Sequence, residues 1–172
     1  MMANTELFNI LKAVTVKLDK PVKLASGRMS DYYIDVKKAL LTQQGLKQVS
    51  QVIIPIVKAL GAQSVGGIEA GSIPLVAVVC AETGIPAFFV RKHEKGHGLG
   101  KRLEGNPASP AVIIEDVTTS GTNSLTAVKV VRKHGYEVAG VISVVDRNEG
   151  AREKYARRNI PFYMLYKSED LL

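Results

Sequence analysis

Cysteine occurs once in the 172 residues, as Cys80, so an internal disulfide framework is excluded. It lies in the apolar stretch IPLVAVVCAE and reads as a small buried hydrophobe rather than a catalytic thiol. No segment combines a charged start, an apolar centre and a small-residue cleavage site, and no apolar run approaches the roughly 20 residues of a membrane helix. The expectation is a soluble, cytoplasmic protein. Repeats, low-complexity tracts and linkers are missing too, so the 172 residues are expected to form one domain, long enough to bury a core without staples. Neither a Ser-His-Asp nor a Cys-His arrangement is evident, and there is neither a dinucleotide GxGxxG nor a Walker Gly-Lys-Ser/Thr turn. What is present is charge. The formal net charge is +7, which suits nucleic acid, membrane surfaces or polyanionic small molecules without choosing among them.

Patterning is that of an α/β protein. Asn4 or Thr5 can cap a first helix with Leu7, Ile10, Leu11, Val14 and Leu18 at helical spacing. Short extended runs follow around Val22 to Leu24 and Tyr32 to Val36. A second helix is predicted from about Thr42 to Leu60, with Pro55 expected to kink or divide it. Then strands alternate with helices: strand Val65 to Ile68, helix Ile73 to Thr83, strand Ala87 to Arg91, a long polar loop, strand Val112 to Glu115, helix Asn123 to His134, strand Val138 to Val145, helix Ala151 to Arg158 and strand Phe162 to Leu165. This alternation predicts a mostly parallel sheet with helices on both faces. The strand-rich segment at about 20–40 is expected to form a small hood over the sheet's carboxyl edge.

The most informative segment is AVIIEDVTTSGTNS, Ala111 to Ser124. Val112, Ile113 and Ile114 suit a buried parallel strand, so Glu115 and Asp116 emerge where open α/β sheets bind ligands. Thr118 to Thr122 then offers hydroxyls and backbone amides at a helix start, a place for a phosphate. Two carboxylates suit vicinal ribose hydroxyls and oppose positive charge developing on the sugar. This string resembles the signature of the type I phosphoribosyltransferases. The resemblance implies phosphoribosyl pyrophosphate as ligand, its 5′-phosphate in the turn formed by Val117, Thr118, Thr119, Ser120, Gly121, Thr122 and Asn123, and its ribose over Glu115 and Asp116.

Further segments resemble the orotate phosphoribosyltransferases of that family. RKHEKGHGLGKRLEG, Arg91 to Gly105, is similar to their catalytic loop, which implies pyrophosphate contacts from Arg91, Lys92, Lys95 and His97, the last two as catalytic residues with Glu115 and Asp116. His93 reads as loop filler and His134 as a helix C-terminal cation. LASGRMSDYYIDV, Leu24 to Val36, resembles the orotate motif and implies base contacts from Ser26, Gly27, Tyr33 and Ile34. In VVDRNEGARE, Arg147 corresponds to the arginine that pairs with the orotate ring, with Thr119 beside it, although Asp146 and Glu149 could instead hold that arginine at the surface. GGIEAGSIPL, Gly66 to Leu75, resembles the loop beside the pyrophosphate. Three positions depart from the family: Ala25 and Gly71 stand where some members carry lysine, and Asn123 where Ser or Thr is common.

The resemblance thus implies transfer of a phosphoribosyl group to orotate in pyrimidine biosynthesis, with Mg²⁺ carried by the substrate and no direct protein metal ligand. It also implies a homodimer whose lid, Lys92 to Gly105, reaches the neighbouring site. Specific nucleic-acid or membrane partners are not expected. Two alternatives stay open at this level: another nucleobase as acceptor, or a nucleic-acid-binding regulator that uses the fold as a phosphoribosyl pyrophosphate sensor.

Overall fold

The computed structural model describes residues 4–23, 27–92 and 102–172. Helix α1 (Thr5–Ala13) starts at Asn4, whose side chain accepts a 2.9 Å bond from the Leu7 amide. It ends sooner than its apolar spacing predicts. Thr15 and Val16 are β-branched and begin strand β1 (Thr15–Lys23), so Leu18 belongs to a strand. β1 pairs antiparallel with β2 (Met29–Ile34) in a two-stranded hood. The run predicted to be extended as far as Val36 instead turns at Asp35, which caps a short helix α2 (Val36–Leu40) by accepting a bond from the Lys38 amide.

Helix α3 (Gln43–Ala59) is capped by Thr42 and runs through Pro55 undivided. Pro55 and Gln51, whose carbonyl loses its amide partner, are both exposed, so water can satisfy that carbonyl. The remaining elements are β3 (Ser64–Ile68), α4 (Ile73–Thr83), β4 (Ala87–Val90), β5 (Leu103–Gly105), β6 (Ala111–Thr118), α5 (Thr122–Lys133), β7 (Val138–Asp146), α6 (Ala151–Ala156) and β8 (Phe162–Lys167), followed by a 3₁₀ turn at Ser168–Leu171. The sheet order is β5-β4-β3-β6-β7-β8, parallel except for β5. β5 corrects the expectation of a purely polar loop: Leu103 pairs with Val90 and covers the sheet edge.

The central strands β3, β6 and β7 are buried on both faces, and the pleat divides the apolar residues between two cores. Ile114 packs with Leu11, Ile53, Leu75 and Val79 under α1, α3 and α4. Its neighbour Ile113 packs with Phe88, Val128, Val131 and Tyr155 under α5 and α6. Each such side chain, fully buried, contributes roughly 1.5–3 kcal/mol. The hood is fastened to the sheet's carboxyl edge by hydrogen bonds. Arg147 Nη2 donates to Ser30 Oγ at 2.7 Å, and the Tyr32 hydroxyl meets Ser168 Oγ at 2.9 Å.

Candidate active site

After β3 the chain crosses through α4 to β4 on one side, whereas after β6 it crosses through α5 to β7 on the other. The carboxyl ends of the adjacent strands β3 and β6 therefore diverge, and a crevice opens between them. A cleft of about 410 Å³ occupies this point. Its walls are the loop after β3 (Glu69, Ala70, Gly71), the end of β6 (Glu115, Asp116, Val117), Thr119 and Asn123 beyond it, Arg147 after β7, Lys92 after β4, and Tyr33, Ile34 and Lys37 from the hood side.

β6 runs past the predicted end at Glu115 and carries Asp116, Val117 and Thr118 as strand residues too, which narrows the turn to Thr119, Ser120 and Gly121. Because adjacent strand residues face opposite ways, the two carboxylates have different surroundings. Glu115 turns toward α5. It is only 5% exposed and accepts a 2.8 Å bond from Thr118 Oγ1. Burial pushes its carboxyl up to about 7, assisted by the Asp116 charge and opposed by the Ser124 and Thr118 hydroxyls and by Lys92. Beneath it Ser124 Oγ is hydrogen-bonded to the Tyr155 hydroxyl, and burial, then the Glu115 charge, pushes the pKa of that phenol up and keeps it protonated. Asp116 is half-buried and faces Gly71. A Cβ on Gly71 would fall on the Asp116 carboxylate, so glycine is what lets the loop after β3 approach that group.

The turn after β6 opens a helix whose first amides have no side-chain cap. Gly121, with φ 71°, leads into α5 without a side-chain cap, which leaves the amides of the first turn open to a ligand. A side chain there is blocked by backbone conformation and by the Tyr155 hydroxyl, 2.9 Å from the place of a Cβ. Two further contacts hold the turn: Ser120 Oγ lies 2.9 Å from Thr122 Oγ1, and Lys154 Nζ donates to the Ser120 carbonyl at 2.9 Å.

Arg147 sits just past β7 and is nearly buried. Its guanidinium lies 4.3 Å from the Tyr32 ring centroid, and its Nε lies 3.4 Å from Glu149 Oε1. The arginine thus lines the cleft while also fastening the hood. Arg91 does not line the cleft in this structure. It lies between Glu104, at 3.0 Å, and Glu69, at 3.5 Å. Glu69 also accepts the Lys92 amide at 3.1 Å. Gly27, with φ +86°, stands in the hood turn, away from the cleft walls. Thr118, Ser120, Gly121 and Thr122 form and support the turn without lining the cleft itself. Ser26, Lys95 and His97 lie outside the described residues.

Lys37 and Glu69 are cleft residues that sequence motifs did not single out. Glu69 lies inside the recognised GGIEAGS string, so its signal was present. Lys37 is brought in by α2, an element too short to show helical periodicity.

No family model matches the chain. Individual proteins match it along nearly its whole length. It is 36% identical to the orotate phosphoribosyltransferase of Aquifex aeolicus over 181 residues, covering 100% of this chain and 99% of that protein. It is 41% identical to that of Methanosarcina acetivorans over 169 residues, covering 97% of this chain and 90% of its relative. Among solved structures, the Mycobacterium tuberculosis orotate phosphoribosyltransferase in complex with Fe(III) dicitrate superposes with a TM-score of 0.82 at 31% identity, covering 96% of this chain and 97% of that one. The same enzyme has been solved with 5-phospho-α-D-ribosyl 1-diphosphate, at a TM-score of 0.79 and 29% identity, each chain covered to 96%. With its cleft at the sheet's switch point and full-length identity to these enzymes, the chain belongs to the orotate phosphoribosyltransferase family.

Proposed function

We propose that this chain joins orotate to the ribose of phosphoribosyl pyrophosphate, giving orotidine 5′-monophosphate and pyrophosphate in pyrimidine nucleotide synthesis. It is a glycosyltransferase of the pentosyl class. A bond forms between a ring nitrogen of orotate and the anomeric carbon while the bond from that carbon to pyrophosphate breaks. Positive charge develops on the sugar as negative charge gathers on the leaving group. The supporting observation is the single cleft that holds Asp116 and the edge of the phosphate turn together with Arg147, Tyr33 and Ile34.

Each part has a physical role in this reading. The amides at the start of α5 take the 5′-phosphate. Asp116, open to the cleft, takes a ribose hydroxyl and opposes the charge growing on the ring. Glu115, more deeply buried and bonded to Thr118, holds the second acidic position beside it. Arg147 offers a planar cation to the orotate carboxylate, with Tyr33 and Ile34 against the pyrimidine. Lys92 faces the leaving group, where the sequence resemblance also assigns Arg91, Lys95 and His97.

Mg²⁺ belongs to the same proposal. Among the described residues no group of three His, Cys, Asp or Glu side chains could hold a metal ion. A cleft whose partly exposed carboxylates, Asp116 and Glu69, form no ligand cage fits an ion that keeps its waters and is carried by the substrate. Bound there, it would supply countercharge to the departing pyrophosphate. A homodimer with shared sites and a cytoplasmic location complete the proposal. Among the described residues no helix is long and apolar enough to cross a membrane.

The test is the ultraviolet loss of orotate on adding phosphoribosyl pyrophosphate and Mg²⁺, run beside uracil, adenine and hypoxanthine. Consumption of orotate alone is expected. Faster conversion of another base would replace orotate as the acceptor.

A further inference from the structure

The leaving pyrophosphate carries several negative charges, so the cleft needs cations that are not already neutralised. Lys37, Lys92 and Arg147 are the described basic residues lining it. Arg147, assigned above to the orotate carboxylate, is held in place by Glu149, Ser30 and the Tyr32 ring. The loop after β3 cannot contribute a cation at Gly71, because any side chain there would displace the Asp116 carboxylate.

Lys37 is differently placed. Its neighbours Val36, Ala39 and Leu40 are 2%, 3% and 0% exposed, so the helix that carries it is pinned to the core. The lysine itself is exposed at the cleft, and its ammonium has no hydrogen-bond or ion-pair partner among the described residues. An unpaired, strongly hydrated ammonium on a flexible stem at a polyanion site has no structural task there, and a phosphate is its natural partner.

We propose that Lys37 binds the pyrophosphate group, so that α2, beside the hood, supplies across the cleft a cation that the loop after β3 has no room to carry at Gly71. This rests on the transferase reading above. Orotate carries one carboxylate, for which Arg147 is already positioned at the end of β7, whereas pyrophosphate carries several negative charges and has Lys92 as the other described basic residue of the cleft. The polyanion is therefore the ligand that draws Lys37.

Calorimetric titration of the full-length protein with inorganic pyrophosphate, and separately with orotidine 5′-monophosphate, both with Mg²⁺, tests the assignment. The second ligand has base, ribose and 5′-phosphate but no pyrophosphate. Lys37→Met is expected to raise the Kd for pyrophosphate at least tenfold and that for the nucleotide less than twofold. Lys37→Arg should stay within about threefold of wild type for both ligands. Unchanged melting temperatures establish that the variants are folded, as the exposed side chain predicts. Wild-type pyrophosphate affinity in Lys37→Met overturns the proposal, and so does a loss confined to the nucleotide or shared equally between the ligands. Wild-type protein that binds neither ligand overturns the transferase reading and this inference with it.

Discussion

Replacing Gly71 by alanine puts one methyl group against the Asp116 carboxylate, and the consequences can be worked out from that contact. The three atoms nearest the added carbon are the two oxygens and the carboxyl carbon of Asp116, the free end of a side chain that can rotate. Gly71 is not among the glycines with positive φ, so alanine is tolerated by the backbone. If Asp116 stays and is merely strained off its rotamer, the cost is about 0.5–1.5 kcal/mol. That corresponds to a fall in melting temperature of roughly 1–6 °C for a domain of this size. If the carboxylate swings away, the electrostatic contribution to the transition state proposed for it is lost. By comparison with removal of one preorganised group in other enzymes, kcat/KM should then fall roughly 10²–10³-fold. The second outcome is expected, since open space in the cleft lets Asp116 leave for less than the overlap costs. The decisive assay is a double-mutant cycle on orotate consumption. In an Asp116→Ala background the obstructed carboxylate is gone, so adding Gly71→Ala should lower kcat/KM less than threefold further. A full 10²-fold loss in that background would refute the contact as the cause and make Gly71 important for room in the cleft instead.

The raised Glu115 pKa makes a stability prediction of definite sign. Because its folded-state pKa, about 7 against an ordinary 4.5, is raised, folding takes up a proton in that interval, and the associated stability is present below pH 4.5 and lost as pH rises through 7. At 1.36 kcal/mol per unit the swing is on the order of 3 kcal/mol. Melting temperatures of Glu115→Gln between pH 5 and pH 8 should show a shallower decline than wild type; parallel curves would show that Glu115 does not titrate there. Arg147→Ala should raise the KM for orotate much more than that for phosphoribosyl pyrophosphate. It should also lower the melting temperature by leaving Glu149 unpaired, and Arg147→Ala with Glu149→Gln should recover part of that loss; equal KM effects would mark a purely structural arginine. For the proposed shared sites, mixing nearly inactive Lys95→Ala and Asp116→Ala dimers under exchanging conditions should restore roughly a quarter of wild-type activity, since half the dimers are hybrids and each has one intact site. Proven hybrids without activity would assign the lid to its own subunit or remove Lys95 from catalysis.

Much of this architecture was legible in the chain because it is governed by local periodicity. The buried run Val112 to Ile114, the amphipathic α3 and the alternation of strands with helices through β8 all follow from spacing, and helix α4 was predicted at Ile73 to Thr83 as found. The turn between β6 and α5 was equally readable, since small hydroxyl residues and glycine after an apolar run mark a strand end and a helix start. Elsewhere local signals were outweighed. Leu18 continues a helical spacing yet lies in β1, and Leu103 sits in a basic loop yet pairs with Val90, because both depend on a partner strand that periodicity does not contain. The difference between Glu115 and Asp116 is of the same kind. Side by side in sequence they are two similar acids. The pleat of β6 sends one toward Thr118 and Ser124, where desolvation disfavours its charge, and the other toward Gly71 and the open cleft. Sequence determined which elements form and which residue types gather at the carboxyl edge of the sheet. Only the tertiary structure decided which of them face the cleft, since Lys37 enters it and Arg91 turns to Glu69 and Glu104 through contacts between segments far apart in the chain.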